Sequence, residues 1–66
     1  MTIAKGKALL KEPKASAAEI EQSIAALEWD WKYIRNAIEI GLRDEASGLE
    51  NIREIKELIS QLRQKL

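Results

Sequence analysis

Cysteine and histidine are both absent from the 66 residues of this sequence. Without cysteine there are no disulfide bonds, no thiolate chemistry and no cysteine-ligated zinc. Without histidine the commonest metal ligand and the commonest general base are missing. A domain this small seldom folds on its hydrophobic core alone, so oligomerisation or very regular helix packing must supplement the core. We expect no metal and no other cofactor.

Net charge is also lacking, since eleven basic and eleven acidic residues cancel. The whole chain therefore has no field to attract nucleic acid or anionic lipid. Residues 1–15 are different, because four lysines there stand against one acid, Glu12. These lysines are the candidate phosphate contacts: Lys5, Lys7, Lys11 and Lys14. The alternative is that three of them, Lys5, Lys7 and Lys11, pair with acidic side chains of the first long helix in the same or a neighbouring chain.

Long apolar runs are missing too. The N-terminal sequence has no apolar segment of signal-peptide length, and no run approaches the roughly 20 residues that cross a bilayer. We expect a cytoplasmic protein with no membrane contact.

Proline occurs once, at Pro13, and disfavours helix at the residue before it. Residues 1–15 are therefore predicted to form a basic N-terminal arm, either flexible or a short helix. Ser16 and Glu19 have the spacing of a capping box, which marks a helix start. The sequence predicts a first long helix at about residues 16–46.

Apolar residues recur every three or four positions along this helix, as in a heptad pattern: Ile20, Ile24, Leu27, Trp31, Ile34 and Ile38. Gly48 suits the left-handed residue after a helix, and Ser47 with Glu50 repeats the capping-box spacing. We predict a turn at about residues 46–49 and a second helix at about 49–65. Its apolar residues follow the same spacing: Ile52, Ile55, Leu58, Ile59, Leu62 and Leu66.

Gly41 is unfavourable inside the first long helix, where it costs about 1 kcal/mol relative to alanine. We interpret it as a weak place in a continuous helix. The alternative is a small residue that lets another helix approach closely.

The three aromatic residues lie together but serve two surfaces. At about 100° per residue, Trp29 and Trp31 point roughly 200° apart. Trp31 falls on the core side, whereas Trp29 and Tyr33 align with Ile40 in a second apolar seam. Trp29, Tyr33 and Ile40 are the candidate partner-binding residues. The seam is covered by the arm folding back, by a second copy of the chain, or by a different protein.

Helix length gives a further expectation. The first long helix would be about 45 Å long and the second about 25 Å. Ile20 and Ile24 would then have no cover from the second helix, so we expect them to be buried in a dimer. The predicted fold class is all-α: an antiparallel two-helix hairpin with a short N-terminal arm, dimerising into a four-helix bundle.

No catalytic constellation is visible. The acidic residues lie on solvated helix faces, the serines have no histidine beside them, and no glycine-rich phosphate loop is present. We predict a non-enzymatic interaction or regulatory protein that homodimerises and binds through a helix face, with no small-molecule substrate.

Residues 16–66, as two heptad-patterned helices joined by a short turn, resemble in architecture the Rop family of plasmid RNA-binding regulators. The resemblance implies a nucleic-acid-binding regulator. The segment Ala37 to Gly48 is similar to the toxin-binding tails of small bacterial antitoxins, which implies a protein that inhibits a partner through Trp29, Tyr33 and Ile40. These two functions are the alternatives to a general interaction protein.

Overall fold

The computed structural model describes residues 2–66, and Met1 of the predicted arm lies outside this range. The described residues form three helices: α1 (Thr2–Lys11), α2 (Ala17–Glu39) and α3 (Glu45–Gln64). The all-α class is therefore confirmed. A hairpin of two helices is not the whole architecture, because the arm contributes a third helix. The molecule is elongated, with extents of 41 × 18 × 16 Å.

Helix α2 starts as the sequence predicts. Ser16 is the N-cap, and its hydroxyl accepts a hydrogen bond of 3.2 Å from the backbone N–H of Glu19. This bond satisfies one of the donors that a helix start leaves without a partner.

Helix α2 ends earlier than predicted, at Glu39. Gly41 has a φ of +77°, its N–H donates to the Ile38 carbonyl at 3.1 Å, and the Leu42 N–H donates to the Ala37 carbonyl at 2.9 Å. These are the two bonds of a Schellman motif, which needs a left-handed residue after the helix. Gly41 is thus the helix stop and not a weak place in a longer helix.

Helix α3 begins at Glu45, before the predicted turn at 46–49. Its N-cap is Asp44, whose carboxylate accepts a 3.0 Å bond from the Ser47 N–H. Gly48 lies inside α3, where an added Cβ would be 2.5 Å from Ile38 Cδ1. The small residue that lets another helix approach closely is therefore Gly48 and not Gly41.

The earlier turn gives Ile20 and Ile24 cover inside one chain. With 23 and 20 residues, α2 and α3 have nearly equal lengths, and they run antiparallel. Moving the turn back by about five residues shifts the facing positions on α3 by roughly ten. Ile20 is 2% and Ile24 8% exposed in the single chain. The reason for assigning them to a dimer contact is thus removed.

Helix α1 packs against both α2 and α3. Gly6 permits this approach, since an added Cβ would be 2.8 Å from Leu58 Cδ2 and 3.4 Å from Leu27 Cδ1. The Lys65 amino group donates to the carbonyls of Leu9 at 2.7 Å and Glu12 at 2.8 Å, at the end of α1. A cation there satisfies carbonyls that the helix leaves free and complements its dipole.

The core lies between the three helices. It consists of ten buried apolar residues: Leu9, Ile20, Ile24, Leu27, Ile34, Ile52, Ile55, Leu58, Ile59 and Leu62. Every apolar residue of this core except Leu9 lies on α2 or α3, so the antiparallel pair supplies most of the buried surface and α1 closes one side of it.

Candidate functional site: the outer face of α2

Three of the exposed large apolar side chains lie on the side of α2 that points away from α1 and α3, and the others are Leu42, Leu49 and Leu66. Trp29 is 76%, Tyr33 74% and Ile40 60% exposed. Leu27 is fully buried on the same helix and lies about 160° from Trp29. The structure thus brings the three predicted partner-binding residues onto one surface, and α1 does not cover it.

The same surface continues towards the start of α2. At the spacing of three or four residues, the positions aligned with Trp29 are all exposed, and we call this set the outer face: Ala18, Gln22, Ala25, Trp29, Tyr33, Asn36 and Ile40. Its first half has small or flexible side chains, and its second half carries Tyr33 and Ile40. The sequence prediction named only Trp29, Tyr33 and Ile40. The first half of the face lies four, seven and eleven residues before Trp29, and helix spacing alone would have identified these positions.

One border of the outer face is charged. It consists of five residues on the same side of α2: Glu21, Glu28, Lys32, Arg35 and Glu39. Arg35 pairs with Glu39 at 3.4 Å, and Glu28 accepts a 2.7 Å hydrogen bond from Arg63 of α3. Among residues 2–66, neither Glu21 nor Lys32 makes an ion pair. The border therefore keeps one acid and one base available for another molecule.

Trp31 lies on the opposite side of this border and is only partly exposed. The Lys56 amino group lies 4.5 Å from the centre of its ring, in the range of a cation–π interaction. The two residues line an open groove of about 530 Å³ between α2 and α3, together with Glu28, Ile59, Ser60, Arg63 and Gln64. Trp31 packs against the core, as the helix spacing predicts.

The four lysines of the arm, which are the candidate phosphate contacts, differ in their surroundings. Lys7 lies 3.1 Å from the Glu54 carboxylate of α3, so one of the four is engaged within the chain. All four, Lys5, Lys7, Lys11 and Lys14, are exposed, but the last follows the end of α1. Lys7 does pair with an acid of the same chain, though with one on α3 and not on α2.

Within residues 2–66, no three acidic side chains are grouped closely enough to hold a metal ion. None of the three helices is long and apolar enough to cross a membrane.

Comparison with known protein families, with curated proteins and with solved structures gave no match.

Proposed function

We propose that this chain is a non-enzymatic interaction protein that docks through the outer face of α2. The observation that carries the proposal is the exposure of Trp29, Tyr33 and Ile40 on one side of a well-packed helix. Isolated apolar residues are normal on a surface, but two aromatic residues aligned with an isoleucine form a contiguous patch. Tryptophan and tyrosine are also the residue types most often found at the energetic centre of protein interfaces.

A protein partner fits this surface better than nucleic acid does. The border of the outer face carries three acids and two bases. Repulsion between the acids and phosphate groups would offset the attraction of the two bases. Lys7 of the arm already pairs with Glu54. The nucleic-acid alternative rests on the remaining lysines, and no aromatic side chain for stacking on bases lies among them.

Homodimerisation remains part of the proposal. The four-helix bundle expected from the sequence would bury the α2–α3 pair against its copy, but α1 occupies one side of that pair. The surfaces that remain for a second chain are the outer face and the groove beside Trp31. The outer face is the more apolar of the two, and burial of apolar surface is the main driving force for association.

The test is photo-crosslinking in the cells that make the protein. A benzophenone derivative of phenylalanine replaces Tyr33, and as a control it replaces Arg53, which is exposed on α3. We expect a protein adduct at position 33 and none at position 53. Equal adducts at both positions, or none at either, would show that the outer face is not a docking surface.

A further inference from the structure

We propose that the outer face of α2 pairs with the same face of a second copy, antiparallel, about a two-fold axis beside Trp29. This inference rests on the proposed function, because it names the partner that the docking surface takes. Two properties of the surface support it, the distribution of side-chain size along α2 and the order of charges on its border, and the area of the surface sets the expected strength of the dimer.

Side-chain size changes along the outer face in a way that suits antiparallel pairing. Trp29 lies at the middle of the seven positions. If two copies of α2 cross there, facing residue numbers add up to about 58. Ala25 then faces Tyr33 of the second copy, and Ala18 faces Ile40. Away from the axis each large side chain meets a small one, so these parts of the two surfaces can interdigitate, while Trp29 meets its own copy at the axis.

The polar members of the face also match. In this register Gln22 lies opposite Asn36 of the second copy, and both are exposed in the single chain. An amide group both donates and accepts, so two facing amides can satisfy each other when water is removed. The pairing therefore leaves neither amide of the face without a partner.

The charged border supports the same register. A two-fold axis of this kind brings the border of one copy next to the border of the other. Glu28 then lies within about 3 Å along the axis of Lys32 of the second copy, and Glu21 within about 3 Å of Arg35. Glu21 lies between Arg35 and Glu39 of the second copy, about 3 Å along the axis from each, and Glu28 lies as close to its own copy as to Lys32. The gain therefore falls on Lys32, which lacks an ion pair within residues 2–66 and meets a carboxylate of the second copy.

Parallel pairing of the same faces fits neither the side-chain sizes nor the charges. Each residue would meet its own copy, so Ala18 and Ala25 would leave gaps while Tyr33 and Ile40 held the helices apart. In a parallel pair the two-fold axis runs along the helices and places the two charged borders on opposite sides, so Glu21 would lie beside Glu19 of the second copy and Glu28 beside Asp30. Like charges placed opposite each other disfavour an interface and are a common means of rejecting a wrong arrangement.

The area predicts a weak dimer. Helix α2 has 23 residues, so it is about 35 Å long and about 10–12 Å wide. Two such faces bury roughly 800 Å² in total, below the approximately 1,200 Å² of a standard stable interface. We expect a reversible dimer with a dissociation constant in the micromolar range or above, and not an obligate one.

Single cysteines test the register, because the chain has none of its own. Gln22→Cys and Asn36→Cys are made as separate variants, mixed, and treated with a short bis-maleimide. We expect the mixed dimer to crosslink strongly and each variant alone to crosslink weakly, since a position and its own copy lie about 20 Å apart in this register. Crosslinking of each variant with itself would show parallel pairing and overturn the inference.

A matched control measures the crosslinking that chance collisions produce. Arg53→Cys mixed with Glu57→Cys places thiols on the exposed side of α3, and we expect this pair to crosslink no more than unmixed variants. Lys32→Glu should weaken self-association about tenfold, whereas Arg53→Glu, with the same change of charge, should not alter it. Equal effects of the two charge changes would also overturn the inference.

Sedimentation equilibrium tests the dimer separately from the proposed docking function. A chain that stays at 7.5 kDa up to millimolar concentration has no second copy on the outer face, and the inference falls. If Tyr33 still crosslinks to a different protein in cells, the docking function stands. A dimer that is insensitive to Trp29→Ala and Tyr33→Ala would overturn the inference alone, since the dimer would use another surface.

Discussion

Two tryptophans of α2, two residues apart, lie in opposite environments. Trp31 packs against the core and lies under the amino group of Lys56, whereas Trp29 has no cover within the described chain. Both faces of α2 are apolar, but α1 and α3 are placed to bury only the inner one. The comparison shows that apolar spacing alone does not identify the core. A second apolar stripe on a helix that already has its core partners indicates a surface for another molecule.

The largest expected effect is a difference in the free energy of unfolding between a substitution on the inner face of α2 and one on the outer face. Leu27→Ala removes a fully buried side chain and should lower the free energy of unfolding by about 2–5 kcal/mol. Trp29→Ala should change it by less than about 0.5 kcal/mol in dilute solution, where the chain is monomeric. Urea unfolding followed by circular dichroism measures both. Similar losses for the two variants would mean that Trp29 contributes to the fold of the single chain.

Gly41 stops α2 and therefore ends both the inner and the outer face of this helix. Gly41→Ala forces an alanine into the left-handed region, and we expect a loss of about 1–2 kcal/mol in unfolding free energy. No atom lies within 4 Å of the added Cβ, so the loss would come from the backbone alone. Gly41→Asn is the control and should lose less, because asparagine tolerates this conformation better. If alanine were neutral, α2 would continue beyond Glu39.

The environment of Trp31 can be measured by its coupling to Lys56. A double-mutant cycle with Trp31→Ala and Lys56→Ala should give a coupling energy of about 0.5–1 kcal/mol for the cation–π pair. The matching cycle with Trp29→Ala and Lys56→Ala should give none, because Trp29 lies on the outer face. Equal couplings would contradict the separation of the two tryptophans.

The smallest effect concerns Ser23, a buried polar residue of α2. Its hydroxyl has no hydrogen-bond partner among residues 2–66. Ser23→Ala should therefore stabilise the fold, by about 0.5 kcal/mol more than Ser60→Ala. Ser60 lies exposed in α3, so its variant corrects for the higher helix propensity of alanine. A loss of stability at position 23 would show that the hydroxyl has a partner in solution.

The inner face was predictable because helix periodicity acts locally. Ile20, Ile24 and Leu27 recur at core spacing, and all three are buried. The cap at Ser16 was predictable for the same reason, since a capping box needs only its own four residues. The outer seam also followed from the helical angle between Trp29 and Trp31. What covers that seam did not, because cover depends on where the other helices pack.

The turn was misplaced because the sequence offers two glycines for one helix stop. Gly48, with Ser47 and Glu50 beside it, has the stronger local pattern, but it lies inside α3. Gly41 is followed after three residues by Asp44, so the helix stop and the next N-cap both fit within the turn at residues 40–44. Close packing of α3 against Ile38 requires a small residue at position 48, and this tertiary constraint is not visible in the local sequence.

The bond from Lys65 to the end of α1 has a consequence for synthesis. It joins residues 53 to 56 positions apart, whereas α2 and α3 meet across a turn of a few residues. Close pairs form before distant ones, because closing a long loop carries a larger loss of chain entropy. Of the three helices α1 is translated first, yet its contact with Lys65 cannot form until the end of α3 has been made. The first of these helices to be translated is therefore the last to be fixed in place.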